Sequence, residues 1–162
     1  MQEHIYREIV NVTLRTPVKG NYKEVISAFD ITLFEALKPP MGEMEIVEFT
    51  GSQKGDIVHI RFLKPFKAVW ISDIVEDRIT DDKAWFVDVG TTLPWPLASW
   101  THRHIVERVD EVNSIIVDDM TFSGKNMLFT LLLYPAIFIG FYFRKRIYRQ
   151  YFEKLYLSSA SR

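Results

Sequence analysis

Two histidines and one aspartate are the residues of this sequence whose types and spacing could support chemistry. The stretch "WTHRHIVE" carries His102 and His104, and "IIVDDMTF" carries Asp118 further along the chain. Alternate residues of a β-strand share a face, so a strand here would point both imidazoles to one side. If Asp118 faces the same side from a neighbouring strand, an imidazole N–H could donate a hydrogen bond to its carboxylate.

Three interpretations of this set remain open from the residues alone. It could be a buried, satisfied polar network that fixes strand packing, which is the simplest of the three. It could recognise the polar end of an otherwise apolar ligand. It could also bind a metal or act as a general base, which makes His102, His104 and Asp118 catalytic candidates. We expect no tightly bound transition metal, since the hydrogen-bonded network accounts for the set and the chain has no cysteine.

Further ligand-binding candidates are large side chains and one arginine on the elements around this set. Arg144 lies in the middle of the apolar face predicted for the last helix, so it could point at a cavity. The ligand-binding candidates are Trp85, Trp100, His102, His104, Asp118, Met120, Phe122, Phe141, Arg144 and Tyr148. His4 and His59 carry no functional signal. The sequence has no glycine-rich phosphate loop, G-x-S-x-G elbow or H-E-x-x-H pair, so standard nucleotide and hydrolase chemistry has no support.

Seven strands and three helices must position these residues. Alternating apolar and polar residues predict strands at 5–14, 43–50, 56–63, 67–77, 83–89, 97–109 and 113–122. Asn21 and Asp30 are predicted N-caps of two short helices after the first strand, and the Pro39–Pro40 pair ends the second helix. The predicted fold class is α+β, with a curved antiparallel sheet and one long C-terminal helix.

The uncharged run 127–143, "MLFTLLLYPAIFIGFYF", could be a membrane span or the apolar lid of the sheet. A span needs about 20 apolar residues, and this run has fewer. We expect Pro135 to separate a short helix from a longer one at 136–157, which is amphipathic. The concave face of the predicted sheet needs a cover, which favours the lid. Docking of 127–143 on a membrane or a protein partner remains an alternative.

Composition indicates one globular domain, 1–162, with 48% apolar and 25% charged residues. The net charge of −1 is uneven, because residues 144–162 hold six Lys/Arg and one Glu. An acidic body without a nucleic-acid motif argues against a nucleic-acid partner. The beginning of the sequence lacks the pattern of a secretory signal, so we expect a cytoplasmic protein that is soluble without detergent. Peripheral membrane contact through the basic C-terminal helix stays open, and the oligomeric state is not predicted.

The order of the predicted elements resembles a known superfamily. The stretches "LKPPMGEMEIVEFTGSQKGDIV", "FVDVGTTLPWPLASWTHRHIVE", "IIVDDMTF" and "FRKRIYRQYF" resemble the START-like (SRPBCC, helix-grip) superfamily, in its bacterial polyketide cyclase/dehydrase-like branch. The resemblance implies a seven-stranded curved sheet, two short helices after strand 1, and a long C-terminal helix over the concave face. It also implies an apolar cavity between sheet and helix, but no fixed chemistry. The iron-binding residues of the oxygenase members are not found, and no cofactor is expected.

The predicted function is binding of an apolar small molecule, such as a lipid or polyketide, in that cavity. One alternative is a cyclase or dehydratase that uses a His–Asp acid/base pair. The other is a docking protein that uses 127–143. Binding without catalysis is the favoured interpretation.

Overall fold

The computed structural model describes residues 9–39 and 42–161, and it confirms the α+β fold class. The elements are β1 (Val10–Lys19), α1 (Tyr22–Ser27), α2 (Ile31–Ala36), β2 (Glu43–Phe49), β3 (Ile57–Lys64), β4 (Ala68–Ile79), β5 (Lys83–Thr92), β6 (Leu97–Arg108), β7 (Asn113–Gly124) and α3 (Met127–Ala160). The strands form one antiparallel sheet in the order β1-β7-β6-β5-β4-β3-β2. β1 continues five residues beyond its predicted end, whereas residues 5–8, His4 and Pro40 lie outside the described residues.

The two short helices begin where their capping residues predict. The Asn21 side chain accepts a hydrogen bond from the Lys23 N–H at 3.0 Å. The Asp30 carboxylate accepts from the N–H groups of Thr32 and Leu33 at 2.9 and 3.1 Å. These bonds satisfy amide groups that have no partner inside the helix, so both predicted N-caps are confirmed.

Alternation along the central strands separates a buried face from an exposed one. In β7, the inward residues Ile116, Asp118, Met120 and Phe122 are almost fully buried, as the sequence predicts. The buried residues form two apolar clusters under α3. The first contains Tyr22, Val25, Phe29, Phe86, Tyr148 and Phe152, and the second contains Val12, Leu14, Leu97, Trp100, Met120 and Phe122. The inner face of the sheet is therefore the core of the protein.

Helix α3 is continuous from Met127 to Ala160, so the predicted break at Pro135 is wrong. Proline lacks the N–H that would bond the carbonyl of Leu131, and its ring crowds the preceding turn. Pro135 lies on the exposed side of α3, however, so these defects do not fall in the core. Residues Leu133, Ile137, Phe138 and Phe141 on the other side pack against the second cluster and hold the helix along the sheet.

The outward side of α3 carries an apolar surface that nothing in the described structure covers. At 100° per residue, six exposed side chains fall on one side of the helix. We call this set the outer stripe: Leu128, Leu131, Leu132, Ile139, Tyr142 and Phe143. By length and composition, α3 is the one helix among the described residues that could cross a membrane, and only 6% of its most apolar window is buried. A helix in the core of a protein would be mostly buried, so α3 is not an ordinary core helix.

Candidate functional site

A cavity of about 450 Å³ lies between α2, α3 and the inner face of the sheet. α3 packs on β1, β7 and β6, which leaves the inner face of β2–β4 free to form one wall. Most of the lining is aromatic or aliphatic: Phe29, Leu33, Phe34, Met44, Phe49, Val58, Ile60, Phe62, Trp70, Phe86, Trp100, Ile137 and Phe141. Trp70 and Trp100 meet edge to face, with ring centroids 4.9 Å apart.

The polar part of the lining is a closed arrangement of two histidines and two aspartates on β5, β6 and β7. Asp88 lies opposite His102 in the β5–β6 register, and Asp118 lies opposite His104 in the β6–β7 register. The hydrogen bonds run diagonally: His102 Nε2 to Asp118 Oδ1 and His104 Nε2 to Asp88 Oδ2, each at 3.0 Å. A carboxylate can only accept, so each Nε2 donates. We call these four residues the His–Asp box.

The other two His–Asp distances in the box are longer than a hydrogen bond, and one imidazole nitrogen has no hydrogen-bond partner among the described residues. His102 Nδ1 is 3.6 Å from Asp88 Oδ2, and His104 Nδ1 is 3.8 Å from Asp118 Oδ1. His104 Nδ1 is buried and has no hydrogen-bond partner among the described residues. The Trp100 indole N–H donates to Asp88 Oδ1 at 3.0 Å, which gives Asp88 a second donor. Both carboxylates are therefore fixed in place, as buried charges must be.

The box lowers the pKa values of His104, Asp88 and Asp118, for different physical reasons. Burial, and after it the charge of His102, lowers the pKa of His104 to about 4 from its ordinary value of 6.5. Burial alone would raise the pKa of Asp88, but the hydrogen bond from His104 and the histidine charges bring it below its usual value. Burial also opposes ionisation of Asp118, whose pKa is lowered by the hydrogen bond and charge of His102. Both carboxylates are thus ionised and His104 is neutral near pH 7.

Five of the ten predicted ligand-binding residues line the cavity: Trp100, His102, His104, Phe141 and Arg144. The Arg144 guanidinium lies over the Phe141 ring, 4.0 Å from its centroid. Four others are buried behind the cavity wall rather than on it: Asp118, Met120, Phe122 and Tyr148. Asp118 reaches the cavity through its hydrogen bond to His102.

The prediction that Trp85 faces the cavity is wrong. Ala84, Phe86 and Asp88 take the inward positions of β5, so Trp85 falls on the opposite face of the sheet. There its indole N–H donates to Glu76, and the Arg78 guanidinium lies 5.9 Å from its ring. Strand alternation assigns these positions correctly once the register of β5 is known.

Four polar residues that line the cavity were not predicted as such from the sequence: Asp30, Ser52, Ser72 and Asp88. Asp88 stands two residues from Phe86 in "FVDVG", so the same alternation that placed His102 and His104 inward would have placed Asp88 inward too. Ser72 is buried and accepts a hydrogen bond from the Trp70 indole N–H at 3.0 Å. No motif in the sequence marks it.

The box could in principle hold a metal ion. Asp88, His102 and His104 each offer one ligand atom, and these atoms lie within 4.8 Å of one another. Two imidazoles and a carboxylate suit zinc or iron. The centroids of the two imidazole rings are 3.6 Å apart with their planes tilted by 38°, however, and each Nε2 points to a different carboxylate rather than to a common centre. The absence of a tightly bound metal stays a prediction, and elemental analysis of the purified chain, with zinc and iron expected well below one per chain, would test it.

Comparison with known proteins places the fold but not the activity. No family model and no curated protein sequence matches the chain. Among solved structures it is similar to a norcoclaurine synthase point mutant from Thalictrum flavum in complex with a transition-state analogue, with 10% identity, TM-score 0.66, and coverage of 96% of this chain and 99% of that one.

Two bacterial structures show the same likeness. The protein XoxI from Bacillus cereus matches with 16% identity and TM-score 0.59, over 90% of this chain and 97% of that one. The Zhui aromatase/cyclase from a Streptomyces species matches with 14% identity and TM-score 0.53, over 72% and 69%. The predicted resemblance is thereby confirmed at the level of the fold, which is the helix-grip fold of START-like proteins.

Proposed function

We propose that this chain, a protein of the START-like helix-grip fold, binds a largely apolar small molecule in the cavity between α2, α3 and the sheet. The observation that carries the proposal is the cavity itself, whose wall is mostly apolar and whose polar groups are confined to a few residues. Its volume of about 450 Å³ lies within the range of about 300–1,000 Å³ that is usual for small-molecule sites. Ligand binding would be driven by burial of apolar surface, at about 25 cal/mol per Å².

The polar groups of the cavity would orient the ligand. Arg144 approaches from α3, and His102, His104 and Asp88 contribute polar surface from the sheet. Because the atoms of the box are hydrogen-bonded to one another, Arg144 would be the main partner of a polar group of the ligand. An acidic or hydroxyl-bearing group suits Arg144, because the guanidinium offers several donors and no carboxylate of the described residues pairs with it within 4.0 Å. The apolar remainder would lie against Trp70, Trp100 and Phe141.

Acid/base catalysis by the box is the rival, and the buried state of its nitrogens argues against it. Both Nε2 atoms donate to carboxylates, His104 Nδ1 is shielded from solvent, and His102 Nδ1 lies 3.6 Å from Asp88 Oδ2 in a side chain that is only 3% exposed. A general base needs an atom within hydrogen-bond reach of the substrate. Turnover of a bound ligand that is lost in His104→Gln would favour the enzyme over the binding protein.

We also infer that the chain contacts a membrane from the side on which α3 lies. The support is the uncovered outer stripe, followed along the same helix by Lys145, Arg146 and Arg149. Apolar side chains that continue into basic ones are typical of helices that lie in a membrane interface. Ala136 and Gly140 line the cavity and are exposed at the surface, so the cavity opens beside the outer stripe. A ligand could therefore pass between bilayer and cavity with little exposure to water.

The test of ligand binding uses the intact chain in solution without vesicles. Native mass spectrometry of freshly purified protein would identify a co-purified lipid-sized mass, and calorimetric titration with oleic acid would measure binding to delipidated protein. Ala136→Trp should weaken binding by filling the mouth, whereas Ile139→Trp, on the outward side of the same helix, should leave it unchanged. Equal binding by both variants, or none by the parent chain with any apolar ligand, would contradict the proposal.

A further inference from the structure

One end of the sheet gathers exposed aromatic side chains from separate parts of the chain. Antiparallel pairing places the β3–β4 turn, the β5–β6 turn and the β7–α3 junction at the same end. Phe66 in the first turn is 79% exposed, and Trp95 in the second is 70% exposed. Neither residue contributes to either apolar cluster under α3. We call this region the aromatic end.

The aromatic end is continuous with the outer stripe. Trp95 meets Phe129 in the first turn of α3, with ring centroids 4.9 Å apart and planes at 69°. Leu128, next to Phe129 in the first turn, is exposed, as are Leu131 and Leu132 in the next turn. Scattered exposed apolar residues are normal, but Trp95, Phe129 and the outer stripe form one apolar surface, and exposed Phe66 lies in the neighbouring turn at the same end. A large exposed apolar surface marks an interaction site.

Charge is distributed along the sheet in a way that distinguishes its two ends. The two turns and the junction at the aromatic end contain exposed Lys67 and Lys125 and no acidic residue, whereas Lys64 at the end of β3 is paired with Glu43, 2.9 Å away. The connections at the opposite end contain exposed acidic pairs, Asp81–Asp82 and Asp110–Glu111. The connections are therefore basic at the aromatic end and more acidic at the opposite end, where Glu111 is paired with Arg108. Lys67 and Lys125, together with the basic residues further along α3, would orient the molecule at an anionic surface.

We propose that the aromatic end and the outer stripe together dock on an anionic lipid bilayer, with Phe66 and Trp95 inserted among the headgroups and Lys67 and Lys125 facing acidic lipids. This rests on the membrane contact inferred above and extends it from one helix to a defined surface. Aromatic rings at headgroup depth and lysines beside anionic lipid are stable placements for these side chains.

A bilayer fits this surface better than two other occupants. A second copy related by twofold symmetry would set two surfaces that both carry Lys67 and Lys125 against each other, and these like charges oppose the contact. Insertion of α3 across the bilayer would strip Leu133, Ile137 and Phe141 from the sheet and expose the second apolar cluster. It would also break the junction in which Thr130 Oγ accepts the Gly124 N–H at 2.8 Å. The helix therefore docks by one side while its other side stays on the sheet.

Flotation of the full chain with lipid vesicles tests the proposal. The chain should bind vesicles of phosphatidylcholine with phosphatidylserine, bind vesicles of phosphatidylcholine alone far less, and be released by high salt. Lys67→Gln with Lys125→Gln should weaken anionic binding about thirtyfold, since each lysine near an anionic surface contributes about 1 kcal/mol and 1.4 kcal/mol is a tenfold change. Phe66→Ser with Trp95→Ser should also reduce binding at least about tenfold.

Matched controls separate the possible outcomes. Val109→Ser with Val112→Ser removes exposed apolar side chains from the opposite end and should leave vesicle binding unchanged.

The Leu128/Leu131 variant distinguishes the aromatic end from the outer stripe. If Leu128→Ser with Leu131→Ser abolishes binding but the Phe66/Trp95 variant binds normally, the aromatic end is not part of the surface and this proposal fails, while membrane contact through α3 stands. If no vesicle binds, both fail. If sedimentation shows a dimer that the Phe66/Trp95 variant dissociates, a second copy is the occupant. Oleic acid titration without vesicles reports on the cavity independently of all these outcomes.

Discussion

Asp88 links the His–Asp box to the aromatic wall of the cavity. It accepts hydrogen bonds from Trp100 and His104 and lies opposite His102 in the β5–β6 register. His102 and Asp118 could be paired from the sequence, because alternation alone assigns both to the inner face. The four-residue box could not be predicted in the same way, because it depends on the register between three strands, which a single sequence does not contain.

The pH dependence of stability should report on His104. Its pKa is lowered to about 4 in the folded chain, against 6.5 when unfolded. Between these values the unfolded state binds the proton and the folded state does not, so stability falls as pH drops from 6.5 to 4, by up to about 3 kcal/mol. Asp88 and Asp118, with lowered pKa values, lose their contribution only below their ordinary value of 3.8.

Urea unfolding of the parent chain and of His104→Gln at a series of pH values would measure this effect. Glutamine keeps an N–H donor for Asp88 but does not titrate. The variant should be less stable at pH 7, and its free energy of unfolding should change less between pH 6.5 and 4. Parallel curves for the two proteins would mean that His104 is not the titrating group.

Arg144 should matter to ligand binding more than to folding. Its guanidinium lies over Phe141 and forms no ion pair among the described residues. Arg144 is half-buried, and its charge also acts on Asp118 and Tyr148. Arg144→Met should therefore cost about 1–2 kcal/mol of stability, the range of a partly desolvated cation–π contact. The same change should weaken binding of oleic acid and leave binding of an analogue without a polar group, such as 1-octadecene, unaffected. Arg146→Met, on the outward side of α3, is the matched control. A large fall in Tm with unchanged oleic acid binding would assign Arg144 to the fold instead.

At the scale of elements, the strands and the two short helices could be predicted from the sequence, whereas the continuity of α3 through Pro135 could not. The strands and caps follow from alternation and from Asn21 and Asp30, whose signals are local. The continuity of α3 was not predictable from Pro135 alone, because a helix tolerates proline when the unbonded carbonyl lies away from the core. The outer stripe was visible as apolar residues, yet only the structure shows that the sheet leaves it uncovered.

Two glycines, one just before α3 and one within it, give a matched test of how this helix is held. A Cβ at Gly124 would lie 2.6 Å from the Thr130 nitrogen and 2.7 Å from the Phe129 carbonyl carbon, so Gly124→Ala must displace the start of α3. We expect it to cost about 1–3 kcal/mol, as overpacking does. A Cβ at Gly140 would meet nothing within 4 Å, so Gly140→Ala should stabilise the helix by about 0.5–1 kcal/mol.

Thermal unfolding measured by circular dichroism would compare the two alanine variants directly. Opposite shifts of Tm are expected. A rise in both would show that the β7–α3 junction is loose, whereas a fall in both would show that a methyl group at position 140 meets a neighbour.

The whole molecule is expected to unfold as a single domain. Both apolar clusters lie on the same sheet, and α3 packs against both of them. We therefore expect neither cluster to stay folded when the other unfolds. Near- and far-ultraviolet circular dichroism should report one coincident transition in urea. Two separated transitions would show that the chain contains more than one cooperative unit and would contradict the predicted single domain, 1–162.

The four tryptophans lie in three different environments, so intrinsic tryptophan fluorescence can report on each environment separately. Trp70 and Trp100 meet on the cavity wall, Trp95 projects from the aromatic end, and Trp85 lies on the far face of the sheet. A ligand in the cavity would quench or shift the emission of the first pair. Entry of Trp95 into lipid would move its emission to shorter wavelength, while Trp85 would serve as an internal reference. Single Trp→Phe replacements could therefore follow cavity filling and bilayer contact separately, in real time and without any attached dye.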